Sequence, residues 1–257
     1  MVNLFKKWFM PAFSGLIYLF LYAPIAVLFI YSFNESNLMA VWSKVVIYWY
    51  QKLLTNAAVI NAGKNSLIVS FTATVIATLI ATTTSLLMER RGKFRGKGAL
   101  DGILYIPIII PEIVLAISIL SVFSLLGSGL GLHTIILGHI AFITAFIIVV
   151  IRARLKGFDG SYEEAAMDLG ANSLKTFWYV TLPIISPGII AGALLGFTLS
   201  MDDFIVTFFT AGPASTTLPL WIWGTLKRGI SPEINALSVV MMLFTMSLVF
   251  LAQRFEK

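Results

Sequence analysis

The 257-residue sequence contains no cysteine, which excludes disulfides, thiolate metal sites and cysteine nucleophiles. Charge is scarce as well. Only 12% of residues are Asp, Glu, Lys or Arg, about half the share of an ordinary soluble domain. Set against 58% hydrophobic residues, that is too little polar surface to cover a water-soluble fold. Histidine occurs twice, at His133 and His139, without HExxH-type spacing, so no metal site is expected. The basic stretch Gly92-Lys-Phe-Arg-Gly-Lys-Gly98 has too few residues between its first two glycines, no Ser or Thr after its lysine, and no strand before it. It reads as a solvated basic turn, not a phosphate loop.

What the sequence has in abundance is long charge-free runs. A helix needs about 20 mostly apolar residues to cross roughly 30 Å of hydrocarbon. The runs predict six spans, at 12–32, 65–88, 100–126, 132–151, 187–208 and 235–253, with a turn at Gly127, Gly129 and Gly131 separating the third from the fourth. The uncharged interval from Phe204 to Leu226 is not a seventh, because Gly212, Pro213 and Pro219 interrupt it and Trp221 and Trp223 suit the membrane interface. With the N-terminus inside, thirteen lysines and arginines fall in cytoplasmic segments and five outside. Both termini are therefore expected in the cytoplasm. The net charge of +6 is explained by these topogenic loops and calls for no nucleic-acid partner. No small-residue cleavage site follows the first apolar run, which is read as a retained helix.

One connecting segment is richer than a linker requires. In Ser161-Tyr-Glu-Glu-Ala-Ala-Met-Asp-Leu-Gly170, Ser161 and Glu164 have capping-box spacing and Gly170 stands where a left-handed helix stop belongs. A second short helix is expected to start near Asn172 or Ser173 and to end before Pro183. Ala165, Ala166, Leu169, Phe177, Trp178 and Val180 give this helix-turn-helix an apolar surface suited either to a partner or to lipid headgroups.

The order Glu164-Ala165-Ala166, three residues, Gly170, nine residues, Val180-Thr181-Leu182-Pro183 resembles the EAA loop of bacterial ATP-binding-cassette (ABC) importer permeases, with Val180 where isoleucine is usual. Further stretches resemble the spermidine/putrescine (PotC-type) permease family: Phe197-Thr-Leu-Ser-Met-Asp-Asp203, Thr217-Leu-Pro-Leu220 and Pro232-Glu-Ile-Asn-Ala-Leu237. The resemblance implies an all-α type I importer transmembrane domain occupying 1–257, with a cytoplasmic coupling loop at 152–186. It further implies ATPase coupling through Glu164, Ala165, Ala166, Gly170, Leu182 and Pro183. The implied partners are a second permease chain in a heterodimer, two copies of a cytosolic ABC ATPase that binds the ATP, and an extracytoplasmic polyamine-binding protein. The place implied is the bacterial inner membrane. The chain itself would hold no cofactor and catalyse no bond chemistry.

Three carboxylates fall well inside predicted spans, away from their ends, where an ionised group costs about 2.5–3.5 kcal/mol on insertion scales. Glu112 is expected near mid-membrane, with Pro107 and Pro111 bending the helix beside it, and Asp202 and Asp203 in the outer half. They are candidates for a cation pathway, although Lys227 or Arg228 offers an ion-pair partner, and adjacent helical residues point about 100° apart, so one of the two aspartates can be structural. Gly188, Gly192, Gly196 and Ser200 recur every four positions and predict close helix contact. Another cationic or small organic solute, or a proton-coupled secondary transporter using the same acids, are the alternatives. The second would leave the 161–183 loop unexplained and usually shows internal repeats, none of which is evident.

Overall fold

Helix is almost the only regular structure. The computed structural model describes residues 2–36, 41–90, 94–229 and 231–255, with side chains described for 9–36, 41–90, 94–229 and 231–251. Gly92 and several residues of the positive-inside count, such as Lys6, Arg91, Lys93 and Lys257, lie wholly or by their side chains outside that set. The elements are α1 (Val2–Tyr31), α2 (Tyr48–Thr55), α3 (Ala57–Arg90), α4 (Lys97–Ile109), α5 (Glu112–Leu125), α6 (Leu132–Leu155), α7 (Ser161–Asp168), α8 (Ser173–Thr176), a π-turn (Phe177–Thr181), α9 (Leu182–Asp202), α10 (Ile205–Thr210), α11 (Leu218–Leu226) and α12 (Pro232–Phe255).

Five helical stretches among the described residues are long and apolar enough to cross a membrane: Phe9–Tyr31, Ala57–Arg90, Leu132–Leu155, Ser173–Asp202 and Pro232–Leu251. The pair α4 and α5 is apolar enough only when taken together, as a segment bent by 108°. This corrects the expectation of one helix over 100–126. Pro111 has no amide hydrogen to continue the ladder, and the preceding Ile110 takes an extended conformation, as a residue before proline prefers, so α4 ends and α5 starts afresh at Glu112.

The chain forms two compact units. In the one made of residues 1–60 and 222–244, Asn34 ties down the segment after α1. Its amide donates to Val41 O at 2.9 Å and accepts from Ser43 N at 3.0 Å, while its carbonyl accepts from Trp49 Nε1 at 2.7 Å. At the start of α12, Glu233 accepts from Lys52 Nζ at 2.8 Å and from Asn56 at 2.7 Å, and this partnership holds the Lys52 ammonium above its usual range.

The second unit, residues 61–221 and 245–257, is organised around α6. Ile143, Ile147, Ile148, Ile151 and Leu155 form a core with Ala73, Ala77 and Ala81 of α3 and Ile185 of α9. The alanines every four positions give α3 a smooth face. The glycine stripe of α9 performs the same role more tightly: a Cβ on Gly188 would come within 2.7 Å of Arg154, on Gly192 within 3.1 Å of Ile147, and on Gly196 within 2.6 Å of Ile147. Close approach of α6 and α9 is thus the use to which these residues are put.

The span at 187–208 is displaced in the structure. It begins at Ser173 and ends at Asp202, passing through Pro183 without a break. The π-turn is the reason. Leu182 N–H bonds Phe177 O, five residues back, and this wider turn makes room for the ring of Pro183 where a regular helix would clash.

Candidate functional site

Asp203 departs from the helix that carries Asp202. Its backbone is extended, at φ −66° and ψ 128°, and its carboxylate turns back to cap α10, accepting from Val206 N at 3.2 Å, Thr207 N at 2.8 Å and the Thr207 hydroxyl at 2.9 Å. His139 Nε2 lies 3.0 Å away, with neither side chain more than 1% exposed. The same nitrogen is 2.9 Å from Thr207 Oγ1, and Nδ1 is 2.7 Å from Ser200 Oγ. Nε2 faces a carboxylate oxygen, so it carries the ring hydrogen and Nδ1 accepts from Ser200. His139 therefore joins α6 to the last turn of α9 and to α10. Sequence reasoning considered it only as a metal ligand and missed this role; its position opposite Ser200 on the small-residue stripe is the signal that was present.

Glu112, first residue of α5, stands against the Asp203 carboxyl. The helix break places Glu112 at a helix N-terminus, a favourable position for an acid and not the middle of a continuous helix as expected. Asp202, by contrast, is exposed. Of the three acids, the structure brings Glu112 and Asp203 together in a network and leaves Asp202 open. Lys227 sits over the Trp223 ring at 5.5 Å and Arg228 bonds Thr225, so each has a partner of its own.

The 161–183 segment folds as helix, turn and helix. The expected Ser161 cap does not form; α7 starts from Gly160, and the Asp159 carboxylate accepts from Ser161 N at 3.0 Å instead. That hydrogen bond holds Asp159 below the usual carboxylate range. The stop is as expected. Gly170 has φ +88°, its N–H bonds Met167 O, and Ala171 N–H bonds Ala166 O, the paired bonds of a Schellman ending. Asn172 then caps α8 by accepting from Lys175 N at 2.9 Å.

No residue of α7 is buried. Glu164, Ala165, Gly170 and Pro183 are exposed, while Ala166 and Leu182 are half-buried. Leu169 is 90% exposed and Tyr179 80%, beside the exposed Tyr162, Leu174 and Trp178. An apolar surface of this kind at a helix turn suits either a partner or lipid headgroups. Glu163 alone points inward, accepting from Arg90 Nη2 and the Thr181 hydroxyl.

A family model described as the inner membrane component of binding-protein-dependent transport systems matches residues 81–257. The putrescine transport system permease protein PotI of Escherichia coli strain K12 is 41% identical over 229 residues, spanning 87% of this chain and 82% of that protein. The spermidine/putrescine transport system permease protein PotC of the same strain is 39% identical over 251 residues, spanning 98% and 93%. In fold, the chain resembles a subunit in the crystal structure of a bacterial ABC transporter involved in the import of the acidic polysaccharide alginate, with TM-score 0.74 over 99% of this chain and 97% of that one at 17% identity. The bent and straight spans, the exposed helix-turn-helix and these matches lead to one assignment: the chain belongs to the binding-protein-dependent transport system inner membrane components, multi-pass permease subunits of ABC importers in the bacterial inner membrane.

Proposed function

We propose that the chain forms half of the pathway by which polyamines, in the spermidine and putrescine class, are imported by alternating access. The relatives that are 41% and 39% identical carry putrescine and spermidine/putrescine in their names, and coverage of nearly the whole chain supports a shared substrate class. The observation that carries the reading is the exposed carboxylate of Asp202, at the end of α9. A polyamine carries several ammonium groups, and an exposed acid at the end of an apolar span can replace part of their hydration. Asp203, paired with His139 and set against Glu112, holds that end of the span in shape.

The whole chain, in this reading, works as one permease domain with both termini in the cytoplasm, paired with a second permease chain. Two copies of a cytosolic ATPase bind and hydrolyse the ATP, docking on the exposed face of 161–170, and a binding protein delivers cargo from outside. The family's description as binding-protein-dependent supports that last partner. The test is uptake of labelled spermidine into proteoliposomes holding the chain co-expressed with its genomic neighbours, with and without enclosed ATP. ATP-dependent uptake blocked by unlabelled polyamine is expected. Uptake driven by a proton gradient alone would overturn the importer reading, and ATP hydrolysis without polyamine uptake would overturn the substrate.

A further inference from the structure

The last two residues of α3 hold opposite groups. Glu89 accepts from Arg152 Nε at 2.8 Å, and Arg152 Nη1 reaches Asp101 of α4 at 2.5 Å. Arg90, one position on, donates through Nη2 to Glu163 of α7 and, at 2.8 Å, to Thr181 Oγ1 in the π-turn. Thr181 is fully buried and its hydroxyl also donates to Glu163. One helix end thus meets α4 and α6 on one side, and α7 and the foot of α9 on the other.

The need for such a meeting point follows from α7 itself. An eight-residue helix with no fully buried residue has little packing to hold it against the bundle, and a free helix of that length is marginal in water. Apart from its backbone connections, its described inward polar contact is Glu163. A force applied to the exposed face of α7 reaches the spans either through the turn at 169–172 or through that carboxylate.

We propose that Arg90, Glu163 and Thr181 form the joint that fixes α7 to the membrane helices, so that displacement of α7 by an ATPase is delivered to α3 and α9 together and, through Glu89, Arg152 and Asp101, to α4. Arg90 and Glu163 are positioning residues; neither lies on the docking face nor touches cargo. The proposal rests on the reading of 161–170 as the ATPase-docking segment. It assigns a role to an ion pair that, as an isolated surface contact, would contribute little to stability.

The experiment uses the assembled complex purified with its ATPase and reconstituted, comparing Arg90→Glu, Glu163→Arg, the double exchange Arg90→Glu with Glu163→Arg, and the milder Thr181→Val. Three quantities are read: ATPase retained on purification, ATP hydrolysed, and spermidine taken up per ATP. Each single exchange is expected to retain the ATPase and its hydrolysis while uptake per ATP falls about fivefold or more, the low end of coupling between linked sites. The double exchange restores most of it, and Thr181→Val gives an intermediate loss. Single exchanges with the native ratio of uptake to hydrolysis, or a double exchange no better than either single, would overturn the joint. So would loss of the ATPase from the single variants, since Glu163 would then belong to the docking face. Full ATPase retention in Glu164→Ala and Leu169→Ser would strike at the docking reading instead, leaving the two failures distinct.

Discussion

His139 and Asp203 stand 3.0 Å apart with both side chains closed to solvent, while the residue just before Asp203, Asp202, is exposed. The two adjacent acids therefore stand in opposite surroundings, one closed into the protein and one at its surface. Asp203→Ala leaves His139 and the α10 amides without their acceptor, and breaking a buried pair of this kind costs about 3–5 kcal/mol. Asp202→Asn is expected to leave the unfolding midpoint in detergent unchanged and to reduce polyamine uptake severalfold. An Asp202→Asn variant with native uptake would remove Asp202 from the pathway.

Glycine substitutions should rank by what the new methyl meets. At Gly212 it would fall 1.8 Å from Leu130 O, a backbone atom that cannot turn aside, and folded protein should be lost. At Gly188 it meets Arg154 Cβ at 2.7 Å, close to the α6 backbone, where overpacking costs about 1–3 kcal/mol. At Gly196 the obstacle is the terminal methyl of Ile147, which can rotate. Gly196→Ala should be the mildest of the three by thermal unfolding, and Ile147→Val should relieve it.

Much of this architecture can be read from residue order. The charge-free runs locate four spans closely and a fifth with its start displaced, Gly170 and Asn172 end and restart the helices of the loop as expected, and the four-residue glycine period announces a close helix contact, which the structure makes with α6. Local rules failed where a longer-range arrangement overrode them. Pro183 signals a helix end, but a π-turn five residues long admits it. Ser161 has the spacing of a cap, yet Asp159 is nearer the free amide. Asp203 stands in a charge-poor run that reads as continuous helix, and its partners are the α10 amides and His139, the latter distant in sequence.

Gly170→Ala places a side chain at φ +88°, where an L-residue loses about 1–2 kcal/mol. Proteolysis between 161 and 172 should quicken and ATP-driven uptake should fall, whereas Gly170→Asn, which tolerates that backbone region, should show a smaller change.

Arg152 stands between Glu89 and Asp101, whose side chains remain 26% and 28% exposed. Arg152→Met should destabilise by about 2–3 kcal/mol, less than a fully buried pair because water still reaches both acids. Adding Glu89→Gln and Asp101→Asn should recover most of the loss in thermal unfolding.

Acidification should loosen the start of α7. Asp159 ionises more readily in the folded chain because the Ser161 amide bonds its charged form, so its contribution is present above its unfolded pKa and lost as pH falls through the folded value. Amide exchange at Ser161 to Glu163, corrected for intrinsic rates, should rise below the ordinary aspartate range of about pH 3.9, and Asp159→Asn should abolish that pH dependence.

The discontinuity at Ile110 and Pro111 has a mechanical meaning. Ile110 N–H closes the α4 ladder onto Ile106 O, and Pro111 O opens the next by accepting from Val114 and Leu115. Changing the angle between the two halves is then a matter of torsion at two residues, with no ladder bond to break and no amide newly bared to lipid. The span has a built-in elbow: Arg152 holds the α4 half at Asp101, and Asp203, tied to His139, holds the start of the α5 half at Glu112.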